Sequence, residues 1–207
     1  APCRIACNHF EQGDLMDFDT VYNFGKQVDV LTFEIEAVNI EALAKLESEG
    51  KKVYPSASTL NKIQNKGKQK LFYKEKGIPT ADFIQFNQLA DLQKAVLENK
   101  ITLPFVWKCT EGGYDGNGVS IIKTKEDLNK LPNIECIAEQ LVNFKNELGI
   151  IVVRNPSGEV KTYPVVEQEF HPEANQVEYV ICPARIDANV RQKAREIAAK
   201  VSESFEH

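Results

Sequence analysis

The residues best able to do chemistry crowd into positions 105–119, Phe-Val-Trp-Lys-Cys-Thr-Glu-Gly-Gly-Tyr-Asp-Gly-Asn-Gly-Val. Lys108 places one fixed positive charge at the end of an apolar, strand-forming approach. Gly112, Gly113, Gly116 and Gly118 follow within seven residues. Backbone this rich in glycine can take positive φ and come close to a ligand, and its N–H groups can form a concave anion site. Tyr114, Asp115 and Asn117 lie among the glycines, and Val119 opens a second apolar run. A lysine beside a glycine flap between two strands suits gripping nucleotide phosphates. A glycine-rich hairpin with no ligand is the bland alternative. Neither common phosphate motif applies. A P-loop needs Lys-Ser/Thr directly after its last glycine, where this chain has Val119. A dinucleotide fingerprint needs a helix after the glycines, where Val119-Ser-Ile-Ile reads as strand.

The elements that must position this loop can be read in order. Asp14 to Asp19 reads as a helix entry, with acidic residues suited to a first turn, and Val21, Phe24 and Val28 as its apolar side. Val30 to Glu34 reads as a short buried strand. Asn39 is placed to cap a helix over 40–49 that Gly50 stops, and Val53-Tyr54 begins the next strand. Strand, helix, strand at this spacing is half of an open α/β unit, whose ligands sit at strand carboxyl ends; Glu34 and Glu36 lie at such an end. One helix is expected over 58–76, a strand at 84–86, and an amphipathic helix over 89–100 with Leu92, Val96 and Leu97 inward. After the flap come a short helix at 125–131 and a strand over 134–142. That strand's end carries Glu139 and Gln140, groups suited to hydrogen bonds with a planar ring edge. Glu147 opens a buried strand to Arg154, a turn at 155–158 leads to a returning strand over 160–167, and another strand starts at Tyr179. A helix over 188–205 is the last element.

With 207 residues, 43% of them hydrophobic, the chain can build a real core and more than one lobe. A net charge of −5 argues against a general nucleic-acid binder. The lysines at 62, 66, 68, 70, 74 and 76 read as a solvated helix face. No run is long and apolar enough to span a membrane. Five cysteines at irregular spacing fit reduced thiols and a cytoplasmic home, and Cys109 reads as packing rather than as a reactive thiol.

Several motifs occur together in a recognisable order: Thr32-Phe-Glu-Ile-Glu, Val53-Tyr-Pro-Ser, Gln69-Lys70, Gly77-Ile-Pro-Thr-Ala, Lys108 with Gly-Gly-Tyr-Asp-Gly-Asn-Gly, Glu135-Cys-Ile-Ala-Glu-Gln, Asn143-Phe-Lys-Asn-Glu147, Tyr163-Pro-Val-Val-Glu and Pro183-Ala-Arg. On these the chain resembles the 5-(carboxyamino)imidazole ribonucleotide synthase family of the ATP-grasp superfamily, from about residue 10 onward. The resemblance implies an α/β (α+β) ATP-grasp fold in four segments. These are part of an N-terminal α/β domain (1–60), a connecting helix (61–78), a lid subdomain with the flap (79–142) and the start of a C-terminal lobe (143–207). It implies ATP-dependent carboxylation of 5-aminoimidazole ribonucleotide with bicarbonate in purine biosynthesis, with Mg2+ bridging the phosphates, in a homodimer.

By the same resemblance, nucleotide contacts fall on Lys66, Lys108, the loop Gly113, Tyr114, Asp115, Gly116, Asn117, Gly118 and Val119, then Glu139, Gln140, Leu141, Val142 and Glu147. Lys108, Tyr114 and Asp115 carry the catalytic expectation, and Glu36, Tyr114 and Asp115 the contact with the imidazole ribonucleotide. Family members often carry a histidine seven residues after the tyrosine of Tyr-Pro-Val-Val. Here that position is Phe170, so either His171 takes the role or this branch does without it. The family's first strand and its later metal-binding carboxylates are expected outside residues 1–207. The chain is therefore expected to be a fragment that keeps much of the ATP pocket and does not turn over. Another ATP-grasp carboxylate–amine ligase and a non-catalytic nucleotide-binding or assembly module remain as alternatives.

Overall fold

The computed structural model describes residues 2–113, 118–171 and 176–205. The chain divides into two compact units, 1–64 and 65–207. In the first, helix α1 (Phe18–Lys26) starts at Asp17, whose carboxylate accepts from the Thr20 N–H at 2.8 Å. Strand β1 (Val30–Thr32), helix α2 (Ile40–Ser48) and strand β2 (Lys52–Tyr54) form a parallel unit with Leu31 opposite Val53. Asn39 caps α2 through the Ala42 N–H at 2.8 Å, and Gly50 leaves it with φ +87°, a conformation that favours glycine. Helix α3 (Ala57–Gln64) closes the unit over a core of Val21, Leu43, Leu46, Val53 and Leu60. The expected buried strand at 30–34 is shorter and more open. Val30 is exposed, because β2 is the partner of β1 among the described strands and no second layer covers that residue.

The single helix expected over 58–76 is two, α3 and α4 (Lys66–Glu75), parted at Asn65. Asn65 is extended and buried. Its side-chain oxygen accepts from the Lys68 N–H and its amide donates to Glu111, both at 2.9 Å, while the Lys66 N–H donates to the Thr110 carbonyl at 2.8 Å. An asparagine that satisfies free helix N–H groups starts a new helix better than it continues an old one. The break thus ties the start of α4 to the segment that leads into the glycine loop.

Strands β3 (Phe83–Phe86), β4 (Phe105–Cys109), β5 (Val119–Ile122) and β6 (Cys136–Gln140) form an antiparallel sheet in the order β3-β6-β4-β5. Period-two alternation sends Phe105, Trp107, Cys109, Cys136 and Ala138 into one core with Leu92, Ala95 and Val96 of helix α5 (Leu89–Leu97). Leu97, expected inward, is 67% exposed, because α5 ends there and the side chain falls off the apolar stripe. The opposite sheet face carries Gln85, Val106, Lys108, Ile137 and Glu139, and α4 packs against it. Gly67 allows the close approach: a Cβ there would meet the Gln85 side chain at 2.8 Å. The short helix expected at 125–131 is a 3-10 turn, Glu126–Lys130.

Beyond residue 142 the strands are shorter than expected. Residues 147–154 form β7 (Glu147–Gly149) and β8 (Val152–Arg154) in different sheets, with Ile151 exposed between them rather than buried. Residues 160–167 likewise split into β9 (Val160–Thr162), which pairs with β8, and the start of β10 (Val166–Phe170), which pairs with β7 and β11 (Val177–Ile181). Pro164 lies between the two and lacks the N–H a continuous ladder needs. Helix α6 (Ala188–Ser204) is held at its end by Arg154, which donates to the Ser202 and Phe205 carbonyls, a cation placed where it complements the helix dipole.

If Asn65 is both cap and tether, Asn65→Ala should destabilise the second unit by about 1–2 kcal/mol. The urea midpoint should fall with no change in slope, and an unchanged midpoint would show the cap to be idle.

Candidate functional site

The geometry centres on Glu139. It sits one residue from the end of β6, on the sheet face that α4 covers, and is only 7% exposed. A carboxylate so placed must be paired to stay charged. Two lysines converge on it. Lys108, two residues along the neighbouring strand from the residue opposite Glu139, puts Nζ 2.6 Å from Oε2. Lys70, from α4, reaches Oε1 and also donates to the Thr80 hydroxyl. Lys70 is the more buried of the two, with 12% of its side chain exposed against 30% for Lys108. Burial would push the Glu139 carboxyl up, but Lys108 and then Lys70 outweigh it and hold it below the usual carboxylate range.

Lys108 points from β4 beside the loop that β5 closes, with Lys108 opposite Val119 in the ladder. Gly112 and Gly118 have φ of +74° and +76°, as a glycine flap requires. Gly118 has a second reason to be glycine: a Cβ there would collide with the Cys109 Sγ at 2.3 Å, and its carbonyl accepts from the Cys109 N–H at 2.9 Å. Cys109 is a core residue. Lys66, at the start of α4, brings Nζ to 3.5 Å from the Gly113 carbonyl. Tyr114, Asp115, Gly116 and Asn117 lie outside the described residues. Lys66, Lys108, Gly113, Gly118 and Val119 therefore flank one loop, and Glu139 lies beneath Lys108.

Gln140 ends β6, its N–H donating to the Asp82 carbonyl at 2.8 Å, and Leu141 and Val142 run on past the ladder with exposed side chains. Glu147 opens β7, half-buried, opposite Gln168 of β10. His171 follows β10, exposed, its N–H bonded to the Gln176 carbonyl at 2.9 Å. Glu36 belongs to the first unit, exposed on the turn after β1, its carbonyl accepting from the Val38 N–H at 2.9 Å. A cavity of about 620 Å³ in that unit is lined by α1, β1 and the segments before and after them, with Glu11, Asp17, Asp19 and Glu34 beside Leu15, Phe24 and Leu31; Glu36 is not among its lining residues.

Two features lie within the sequence motifs, which assign them no role. Lys70, expected on a solvated helix face, is a largely buried cation with 12% of its side chain exposed. The available signal was its spacing of four from Lys66, which puts both on one helix face. The other is Glu167, buried on β10. Arg185 grips it through Nε and Nη2, both at 3.0 Å, and through its backbone N–H at 3.2 Å, while Asn146 donates to it at 2.7 Å. Arg185 also pairs with Glu169. These bonds, Arg185 first, hold the Glu167 carboxyl down to about 2, and the same pairing raises Arg185 above its ordinary value.

Residues 71–207 match the family model described as the ATP-grasp domain, and residues 1–64 the one described as the ribonucleotide synthetase preATP-grasp domain. N5-carboxyaminoimidazole ribonucleotide synthase of Bacillus subtilis is 32% identical over 99% of this chain and 54% of its own length. The carboxyaminoimidazole ribonucleotide synthase of Aspergillus clavatus, solved in complex with ATP, is 32% identical with a TM-score of 0.89, covering 100% of this chain and 55% of that one. A second structure from that organism, with ADP and 5-aminoimidazole ribonucleotide, is 29% identical with a TM-score of 0.87, covering 99% and 54%. The chain spans about half the length of the curated relatives it matches.

The Glu167 pairing has a pH signature. Its folded value lies below the ordinary 4.5, so the stability it contributes is full above that value and is lost as pH falls towards about 2. Glu167→Gln should lower stability at neutral pH and flatten the acid limb of a stability–pH curve measured by urea unfolding. An acid limb as steep as the parent's would assign the pairing no net role.

Proposed function

The chain belongs to the ATP-grasp family, and from that premise we propose that it carries the nucleotide half-site of an enzyme that carboxylates 5-aminoimidazole ribonucleotide. ATP would activate bicarbonate as carboxyphosphate, with release of ADP. The amine of the ribonucleotide would then take the carboxyl group and release phosphate. The observation that carries this is the hairpin of β4 and β5, with Lys108 at the root of its glycine loop and the buried Glu139 beneath. The Aspergillus clavatus complexes, whose names state ATP, ADP and 5-aminoimidazole ribonucleotide, supply the ligand classes.

In this reading Lys108 and Lys66 hold phosphate oxygens, and the glycine flap would close over ATP and exclude water. Glu139 accepts from the adenine amino group, and the chain from Gln140 through Leu141 to Val142 follows the ring edge. Glu147 takes the ribose hydroxyls, since a carboxylate can accept two bonds. His171 stands in for the histidine the family places at 170. Glu36, with Tyr114 and Asp115, meets the imidazole ribonucleotide. Residues 1–60 serve as part of the N-terminal α/β domain, 61–78 as a connection, 79–142 as the lid and 143–207 as the start of the C-terminal lobe. The setting in this reading is the cytoplasm, and the full-length enzyme is a homodimer. Among the described residues no helix is long and apolar enough to cross a membrane.

Magnesium enters this reading with the nucleotide phosphates. Among the described residues no group of three or more His, Cys, Asp or Glu could hold a metal ion, so these residues contribute no step through it.

Calorimetric titration with magnesium-ATP tests the half-site. The chain should bind, and Lys108→Ala should weaken binding by about 1.5–3 kcal/mol, the range for a hydrogen bond to a charged group. Equal affinity in the variant would remove Lys108 from the phosphate role. Bicarbonate-dependent ADP release in the presence of 5-aminoimidazole ribonucleotide would extend the reading from binding to turnover.

A further inference from the structure

We propose that Lys70 is the resident counter-ion of Glu139, which lets Lys108 leave the carboxylate for nucleotide phosphate without stranding a buried charge. The inference rests on the phosphate role of Lys108 proposed above. In the structure Lys108 is not free: its Nζ is 2.6 Å from Glu139. To reach phosphate it must give up that partner. Glu139 is buried, and a buried carboxylate whose only cation departs is strongly disfavoured.

The arrangement removes the difficulty. The two lysines occupy different oxygens, Lys70 on Oε1 and Lys108 on Oε2, so one can leave while the other stays. They also differ in freedom. Lys108 stands on a strand beside the loop and is the more exposed. Lys70 stands on α4, is the more buried, and is fixed by the Thr80 hydroxyl as well. Gly67 seats α4 against the sheet one turn earlier, and the Asn65 cap fixes where the helix begins. Lys70 is thus a positioning residue. It acts on the nucleotide through Glu139 and Lys108, not by contact.

The test uses the full chain and two readouts. Carboxyl 13C NMR, with the Glu139 signal assigned by its loss in Glu139→Gln, reads the counter-ion directly and needs no nucleotide. In Lys108→Ala the Glu139 signal should still titrate at or below the ordinary carboxylate range; in Lys108→Ala/Lys70→Met it should move above it. A Glu139 already above that range in Lys108→Ala overturns the proposal, and that variant alone decides the matter if the double variant does not fold. The second readout is magnesium-ATP affinity. Lys70→Met should lower it by about tenfold or more, Lys70→Arg should restore most of it, and Lys70→Met should have no further effect in a Glu139→Gln background, where there is no charge to strand. A loss that persists in that background means Lys70 touches phosphate itself, and overturns the proposal. If the parent binds no nucleotide, the functional reading falls while the carboxyl titration still decides the role of Lys70.

Discussion

A carboxylate can be buried only in company. Glu139 lies on a sheet face that a helix covers, and water cannot solvate it there. Its charge must be answered from within the protein, and the answer comes from two directions, Lys108 along the sheet and Lys70 from the helix above. This fixes more than a pair of side chains. It requires α4 to lie at one height and rotation over β6, and it requires the β4–β6 register that brings Lys108 within reach. The start of α4 at Asn65, its close seat at Gly67 and its bond from Lys66 to Thr110 all serve that placement. The polar face of this sheet is therefore as specified as the apolar face opposite, by charge pairing rather than by packing.

The second half of the larger unit follows the same logic with different chemistry. Asn146, Glu167 and Arg185 come from three segments, and bonds to one buried carboxylate join them. Strands of three to five residues bury little apolar surface, and Ile151, Val153, Tyr179 and Val180 stay exposed. With a thin core, a bidentate arginine–carboxylate pair is a geometrically specific way to hold β10 beside the chain that follows β11. Asn146 is the residue before Glu147, so the bond that satisfies Glu167 also fixes the backbone from which Glu147 projects.

How far the sequence revealed this depends on the range of each interaction. Local signals carried well. Asn39 and Gly50 bracket α2 as their side-chain chemistry requires, and the β4–loop–β5 hairpin follows from alternation and glycines. Motif order carried the family and the fold. What failed depended on distant partners. The helix break at Asn65 combines a local cap on the Lys68 N–H with a hydrogen bond to Glu111, 46 positions away, and that distant tether is what a local pattern does not show. The lysines on α4 read as solvated because a helix pattern shows faces but not what covers them. The strands expected at 147–154 and 160–167 are too long, and the first is too buried, since apolar composition says nothing about whether a second layer arrives. Glu139 was legible as a residue of interest, but not as the hub of an ion triad.

The competition for Lys108 can be decided by magnitude. With Lys70 staying on Oε1, Glu139 keeps a cation when Lys108 leaves, and Lys108, nearly a third exposed, gives up only the second of two pairings, on the order of 1 kcal/mol for a part-exposed lysine. A hydrogen bond to a charged phosphate is worth about 1.5–3 kcal/mol. On these figures alone Lys108 prefers phosphate. The comparison reverses if its departure leaves Glu139 without a cation, because breaking a buried pair costs about 3–5 kcal/mol. The same strand lysine is therefore either a phosphate ligand or a permanent structural partner, according to whether a second cation stays behind. The glycine loop and Lys108 make the site look like a nucleotide flap from sequence. Lys70, on a helix that carries none of the motif's glycines, is what makes the exchange energetically possible.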